Sequence, residues 1–88
     1  MPRALTLQRT LVPPTERDKF AARIARQRAH YSAAGCRYEV FEEAALPGAF
    51  LELFEAPDAP ILARAHASSP ERVLDPNRVY TEVELVEE

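Results

Sequence analysis

Two alternating runs joined by a short turn constrain the fold of this chain more than any other feature. Apolar and polar side chains alternate from Cys36 to Glu43, and a second alternating run extends from Ala49 to Glu55. Pro47-Gly48 lies between the runs, and this dipeptide is typical of a tight turn. Because successive side chains of a strand point to opposite faces, the pattern predicts a β-hairpin.

A strand and a long helix are predicted before the hairpin. The strand covers Ala4 to Val12 and ends at Pro13-Pro14, which cannot donate hydrogen bonds to a sheet. Thr15 is the predicted N-cap of the helix, which continues to about Ala34. Gly35 follows as the residue that ends it. The apolar stripe of this helix contains Phe20, Ile24, Tyr31 and Ala34, and Gln27 lies on the same stripe.

A second helix and a last strand are predicted after the hairpin. The helix covers Ala59 to Ser68, with Asp58 as its N-cap, and the strand covers Val79 to Val86. The resulting order is β-α-β-β-α-β. It predicts an α+β, ferredoxin-like fold, with a four-stranded antiparallel sheet and two helices on one face, in a single domain of residues 1–88.

The alternation predicts which side chains share each face of the sheet. The face packed on the helices is predicted to hold Leu5, Leu7, Val40, Leu51, Leu53, Val83 and Leu85. The uncovered face is predicted to hold Gln8, Arg37, Glu39, Phe41, Phe50, Glu52, Phe54, Tyr80, Glu82 and Glu84. A register shift of one residue would exchange the two faces. An uncovered aromatic face is typical of an interface or ligand site, so we expect two copies to pair through their sheets as a homodimer.

The uncovered face also supplies the candidate site residues. Two sheets face to face would enclose a small cavity for an apolar ligand. The predicted ligand-binding residues are Phe41, Phe50, Phe54, Tyr80 and Arg37, and the weak catalytic candidates are His66, Tyr80 and Glu52. Glu52 and Glu82 on one face could raise each other's pKa and provide a proton acceptor, or they could pair with Arg9 or Arg37 in the dimer.

The histidines and the cysteine each have a structural interpretation that competes with a functional one. His66, four residues after Leu62, is favoured as a structural residue over a metal or proton-transfer group. His30, near the end of the first helix, is favoured as a helix-capping residue. Cys36, the only cysteine of the chain, is favoured as a small buried residue over a reactive thiol. No spacing indicates a metal site, and we predict no cofactor.

Charge and hydropathy indicate which partners and which compartment are expected. The net charge is −3, which disfavours a nucleic-acid partner because neutralising phosphates needs a basic field. Residues 1–44 hold eight Lys/Arg against five Asp/Glu, and residues 45–88 hold three against nine. No apolar run is long enough for a membrane span or a signal peptide, so we expect no membrane partner. With a single cysteine, these features predict a cytoplasmic protein.

A family resemblance supports the same architecture. The residues that carry it are the helix start Thr15-Glu16-Arg17-Asp18-Lys19-Phe20 and the segments from Ser32 to Phe41 and from Pro47 to Glu55. Together they resemble the antibiotic-biosynthesis-monooxygenase-like family of the dimeric α/β-barrel superfamily. The resemblance implies a protomer that pairs through its sheet into a barrel, and family activities that include cofactor-free oxidation of aromatic molecules and haem degradation.

The chain departs from the catalytic pattern of that family. The oxidising members use a tryptophan with an asparagine, but this chain has no tryptophan, and Asn77 lies in the loop before the last strand. Two functional hypotheses follow. The first is a homodimer that binds or oxidises a small, largely apolar or aromatic molecule, as a cofactor-free monooxygenase would, in a pocket between the sheet and the helices or between the sheets of the dimer. The second is a non-catalytic dimerisation or regulatory module whose interface is filled.

Overall fold

The structure, a computed structural model, describes residues 2–86. Its elements are β1 (Ala4–Leu11), α1 (Arg17–Ala33), β2 (Arg37–Glu42), β3 (Ala49–Ala56), α2 (Ala59–Ala67) and β4 (Tyr80–Thr81). The strands form one antiparallel sheet in the order β2-β3-β1-β4. The predicted α+β, ferredoxin-like arrangement is confirmed.

The start of α1 differs from the prediction. Pro14–Glu16 forms a short 3-10 helix, and the N–H of Glu16 donates to the carbonyl of Pro13 at 2.9 Å. The N-cap position of α1 is Glu16, with no side-chain capping bond. Thr15 as N-cap is therefore wrong, because the two prolines begin a tighter turn before the α-helix starts.

The other helix ends follow the sequence signals. Gly35 has a φ of +80°, a left-handed conformation that suits glycine, directly after the end of α1. At the start of α2, Asp58 Oδ1 accepts a hydrogen bond from the N–H of Ile61 at 2.9 Å. The predicted N-cap of α2 is confirmed.

The last strand is much shorter than predicted. Only Tyr80 and Thr81 pair with β1, opposite Leu5 and Ala4. The N–H of Glu82 adds one more bond, to the carbonyl of Arg3 at 2.8 Å. Because β1 begins at Ala4, residues 83–86 pass beyond the end of their neighbouring strand. Apolar and polar residues do alternate in this segment, but within residues 2–86 no strand lies beside it to pair with.

The predicted faces of β1 and β3 are exchanged in the structure. Register pairs Thr6 with Phe54 and Gln8 with Glu52. These side chains are buried beneath the helices. The placement of Phe50, Glu52, Phe54 and Gln8 on the uncovered face is therefore wrong. β3 carries large apolar residues on both faces, and β1 has its leucines on the uncovered side, so alternation alone indicated the wrong face.

An aromatic core fills the space between sheet and helices. Tyr31 of α1 packs edge-on against Phe54 of β3, with ring centroids 4.9 Å apart, and stacks on Tyr38 of β2 at 5.7 Å. Leu62 of α2 is also fully buried in this core. Large rings cover more area beneath the helices than leucines would, which favours the observed face.

The opposite face, here called the open face, has no helix over it within residues 2–86. Its members are Leu5, Leu7, Arg9, Arg37, Glu39, Phe41, Leu51, Leu53, Glu55 and Tyr80. Leucines and Phe41 form its middle, and charged residues flank them. The placement of Phe41, Arg37 and Tyr80 on this face agrees with the prediction, whereas Leu5, Leu7, Leu51 and Leu53 were expected on the other.

Candidate functional site

A buried carboxylate lies at the centre of the sheet, under α1. Glu52 is 0% exposed. Its Oε2 accepts a hydrogen bond from Gln8 Nε2 at 2.7 Å, and its Oε1 accepts one from the Tyr38 hydroxyl at 2.6 Å. Arg23 Nη2 lies 3.5 Å from Oε2. We call these four residues the Glu52 centre.

The neighbours of Glu52 explain how a charged group is held there. Burial, and then the hydrogen bond to Glu52, raise the pKa of Tyr38 far above its ordinary value. Tyr38 thus stays a neutral donor. A carboxylate with two neutral donors and one guanidinium meets the conditions under which a buried charge is tolerated.

A second polar cluster lies beside the Glu52 centre. His66 of α2 has Nδ1 2.7 Å from the Tyr31 hydroxyl and Nε2 2.8 Å from Thr6 Oγ1. Burial, and then the charge of His30, lower the pKa of His66. The imidazole is therefore neutral near pH 7, with both ring nitrogens hydrogen-bonded. This arrangement agrees with the structural interpretation of His66.

A cleft opens where β1 ends and α1 begins. Its volume is about 230 Å³. The lining residues are Thr10, Leu11, Val12, Pro13, Glu16, Lys19, Phe20 and Arg23. Phe20 stacks on Phe50 with ring centroids 4.7 Å apart, and the guanidinium carbon of Arg23 lies 5.6 Å from the centre of the Phe20 ring. Arg23 thus connects the cleft to the Glu52 centre.

Two of the cleft residues hold polar atoms that are buried without a hydrogen-bond partner among the described residues. They are Thr10 Oγ1 and Arg23 Nε. A third such atom, Gln27 Nε2, lies one turn further along α1, where Gln27 Oε1 accepts from the Ser69 hydroxyl at 3.0 Å. Buried polar atoms are nearly always paired, so their concentration near one cleft marks it as a candidate site.

The structure separates most of the residues that the sequence grouped. Phe50 packs against Phe20, a cleft residue, and Phe54 lies in the core, while Phe41, Arg37 and Tyr80 lie on the open face. Glu82 pairs with Arg3 at 2.6 Å, on the other side of the sheet from Glu52. The expectation that Glu52 shares a face with Glu82 is therefore wrong, and its pairing with Arg9 or Arg37 in the dimer does not fit a carboxylate that is buried under α1. Glu52 is bound to Arg23 instead.

The two remaining candidates have ordinary structural partners. His30 Nε2 lies 2.8 Å from the carbonyl of Ala65 in α2, so it links the two helices and does not cap its own. Cys36 is buried, as predicted, and burial raises the pKa of its thiol. That its thiol is not reactive stays a prediction.

Two hollows border the open face. One, of about 300 Å³, has Arg9, Phe41, Leu51 and also Phe50 in its lining, so two of the predicted ligand residues meet there. The other, of about 280 Å³, has Tyr80, Leu5 and Glu55 in its lining. They are where the predicted ligand residues Phe41 and Tyr80 lie. Both hollows belong to the surface that a second copy would cover.

Sequence reasoning missed most of the residues beneath α1. Gln8 was placed on the wrong face, and neither Arg23 nor Thr10 was among the candidate site residues. One signal was present, because Gln27 lies on the apolar stripe of the helix. A polar residue on such a stripe indicates polar partners in the layer below it.

Within residues 2–86, no group of three or more His, Cys, Asp or Glu residues is placed so that it could hold a metal ion. The helices of that part of the chain are too short or too polar to cross a bilayer.

Comparisons with known proteins bear on the fold. No protein-family model matches the chain, and no curated protein sequence matches it. Among solved structures, the chain is similar to that of Rv0793 from Mycobacterium tuberculosis, with a TM-score of 0.60 and 21% sequence identity. The match covers 99% of this chain and 98% of the other. This likeness supports a small α/β protein with a ferredoxin-like fold.

Proposed function

We propose that the protein is a homodimer in which each protomer binds a small, largely apolar or aromatic molecule between its sheet and helix α1. The observation that carries this proposal is the fully buried Glu52 carboxylate, linked through Arg23 to an open cleft. A stable core of this size gains little from a buried charge, so a ligand or reaction that uses the charge gives a reason for it.

The cleft suits a molecule with a short apolar body. Leu11, Val12, Pro13 and Phe20 supply apolar lining, and a volume of about 230 Å³ fits one ring or a short chain. Larger ligands would extend from the opening into solvent. This site is the first of the two expected positions, between the sheet and the helices, and the pocket between two sheets of a dimer stays a prediction.

The family resemblance adds a reaction to the proposal. In a cofactor-free oxidation, an activated methylene group and O2 give a ketone and water, R2CH2 + O2 → R2CO + H2O. The substrate supplies all four electrons, so no external reductant is consumed. The first step is the loss of a proton from carbon. Glu52 does not line the cleft, so its role in this proposal is to hold Arg23 in place beside the reacting group. Arg23 would stabilise the resulting anion.

Oxygen uptake and ligand binding test the proposal together. The purified protein is mixed with a panel of hydroxylated aromatic molecules, activated methylene compounds and haem, and O2 consumption, absorbance and melting temperature are followed. We expect at least one compound to raise the melting temperature and to be oxidised. Glu52→Gln, which keeps the size of the side chain, should lower the oxidation rate about 100-fold or more, because Arg23 would lose the group that holds it in place. Glu84→Gln, on the exposed C-terminal segment, is the matched control.

The outcomes separate binding from catalysis. Binding without O2 consumption would remove the oxidation step and leave a binding protein. Equal rates for Glu52→Gln and the natural protein would remove Glu52 from the reaction. A panel with neither binding nor oxidation would reject the ligand site.

A non-catalytic dimerisation module is the second candidate. The observation that favours it is the filled core, in which Tyr31, Phe54 and Leu62 are each 0% exposed. Under this proposal, the open face serves only to join two copies, and the polar groups beneath α1 fix the register of β1 on β3. The absence of any ligand effect, together with a stable dimer, would support it.

A further inference from the structure

We propose that residues 82–86, here called the C-terminal arm, dock in a groove on the partner copy, and that the two copies of the dimer exchange their arms in this way. The inference rests on the homodimer of the proposed function, and it adds a contact between the copies that lies beyond the open face. Its basis is a match in position, apolar surface and charge between the arm and the groove.

The arm has an apolar side that nothing in its own chain covers. The N–H of Glu82 still donates to the carbonyl of Arg3, but beyond it no strand among residues 2–86 lies beside the arm. Val83 is 69% exposed and Leu85 is 89% exposed. In an extended segment these two side chains share one side, and the two carboxylates of the arm share the other. An uncovered apolar stripe of this kind is typical of a surface that binds another chain.

A groove lies at one end of the sheet, where α1 gives way to β2 and β3 gives way to α2. It consists of two hollows, of about 350 and 450 Å³, that share Gly35 and Pro57 in their linings. Ala34, Ile61 and Ala65 add apolar walls to the larger hollow. We call the two hollows together the end groove. Its concave apolar lining suits the two apolar side chains of a short segment.

The arm and the end groove lie at the same end of the sheet but at different edges. Ala4 of β1 pairs with Ala56 of β3 on one side and with Thr81 of β4 on the other. Pro57 follows Ala56 directly, and the arm follows Thr81 directly. The strand order β2-β3-β1-β4 places the arm at the β4 edge, whereas the end groove lies beside the starts of β2 and α2.

Twofold symmetry brings the arm of one copy to the end groove of the other. When two open faces meet around an axis that runs along the strands, β4 of one copy lies over β2 of its partner, and the same ends of the two sheets stay together. The arm then lies beside the end groove of the partner. Around an axis that runs across the strands, the arm would instead meet the hairpin end of the partner.

Charge favours the first of these arrangements. The arm has two carboxylates and no basic residue. Three arginines and one glutamate line the end groove, whereas one arginine and two glutamates line the hollow at the hairpin end. Arg3 and Arg37 already pair with carboxylates of their own chain, so Arg64, which is exposed and forms no ion pair among residues 2–86, is left for the arm. Opposite charges across an interface fix its register and disfavour the alternative.

Disulfide trapping tests which surface the arm contacts. In a Cys36→Ala background, Leu85→Cys on the arm is combined with Ser68→Cys in the end groove or with Leu46→Cys in the hairpin loop. A disulfide forms only where the two Cα atoms approach within about 7 Å. We expect the combination with Ser68→Cys to give a covalent dimer about tenfold faster or better than either single variant, because docking raises the effective concentration of the two thiols. The combination with Leu46→Cys should be no faster than the single variants.

Two further variants measure what docking contributes to the dimer in the natural background. Leu85→Asp should weaken self-association about tenfold or more, because the groove would have to bury a carboxylate. Its far-UV circular dichroism should stay unchanged, since Leu85 packs on nothing in its own chain. Arg64→Glu should weaken self-association about threefold or more, because it places a like charge beside the arm. Leu46→Asp, at the other end of the sheet, is the matched control. Sedimentation equilibrium measures all four proteins.

The outcomes separate this inference from the proposed function. A natural protein that is monomeric would reject the homodimer and the exchange together. A stable dimer that Leu85→Asp leaves unchanged would overturn the exchange and leave the homodimer standing. Mass spectrometry of the linked peptides identifies the trapped pair, and a link from Leu85→Cys to Leu46→Cys, or a link within one chain, would overturn the docking in the end groove. If Cys36→Ala does not fold, Leu85→Asp and Arg64→Glu carry the test, and unchanged association in both would count against the inference.

Discussion

At the scale of single residues, the ionisable side chains buried beneath the helices determine the chemistry of this protein. Glu52 is held by neutral donors and one guanidinium, and His66 is held by two hydroxyl groups. Alternation predicted Glu52 as a candidate but gave it the wrong face. The prediction failed because its partners come from three other elements, which the spacing along one strand does not show.

His66 makes stability depend on pH. Burial, and then His30, hold its pKa below the ordinary value of 6.5. The unfolded chain therefore binds a proton more tightly than the folded one. This contribution to stability is present above pH 6.5 and is lost as pH falls from 6.5 toward the folded pKa.

The melting temperature, measured between pH 7.5 and pH 5.5, tests the pH dependence caused by His66. We expect the melting temperature of the natural protein to fall across this range, and His66→Gln to show a smaller fall, since glutamine can still hydrogen-bond but does not titrate there. Carboxylates titrate mainly at lower pH and contribute less to this window. Equal slopes for the two proteins would show that His66 is not the group responsible.

Turns and strand ends decide the arrangement of the elements. Gly48 has a φ of +93°, and its carbonyl accepts the N–H of Val12 at 2.7 Å. It thus joins the hairpin turn to the end of β1. The Pro47-Gly48 signal predicted the turn, but this long-range bond became visible only when β1 and β3 were paired.

Alanine substitutions at the two glycines are expected to differ in cost. Both residues have positive φ, so each change costs about 1–2 kcal/mol of unfolding free energy for the left-handed conformation. At Gly48 a Cβ would lie 2.9 Å from the carbonyl oxygen of Val12, whereas at Gly35 it would meet nothing within 4 Å. The clash adds about 1–3 kcal/mol for Gly48→Ala. Urea unfolding of both variants measures the difference, and equal costs would contradict the close approach at Gly48.

At the scale of the whole molecule, a single chain leaves apolar surface exposed to solvent. Leu7, Phe41 and Leu51 are exposed on the open face, and the C-terminal segment 82–86 exposes Val83 and Leu85. The Cα radius of gyration is 14.2 Å, against about 12 Å for a compact chain of this length. An extended segment and an apolar face on one chain are the features that a second copy would cover.

A charge placed on the open face tests the dimer. Leu51→Glu should weaken self-association at least 30-fold, about 2 kcal/mol, because the interface would have to bury the new carboxylate. Leu46→Glu, at an exposed leucine of the β2–β3 loop, is the matched control and should leave association unchanged. Sedimentation equilibrium measures both. A natural protein that is monomeric at micromolar concentration, or a Leu51→Glu dimer of unchanged affinity, would reject pairing through this face.

The sequence by itself determined the order of the elements, the hairpin turn at Pro47-Gly48 and the cap at Asp58, because these depend on residues close together along the chain. It also showed that one face of the sheet would stay apolar and uncovered. Only the tertiary structure decided which face that was. Strand β3 carries large apolar side chains on both sides and β1 buries its polar side, so the choice depends on how rings and polar groups fit beneath two helices. For the same reason, the Glu52 centre and its cleft emerged only once β1, β2, β3 and α1 were packed together.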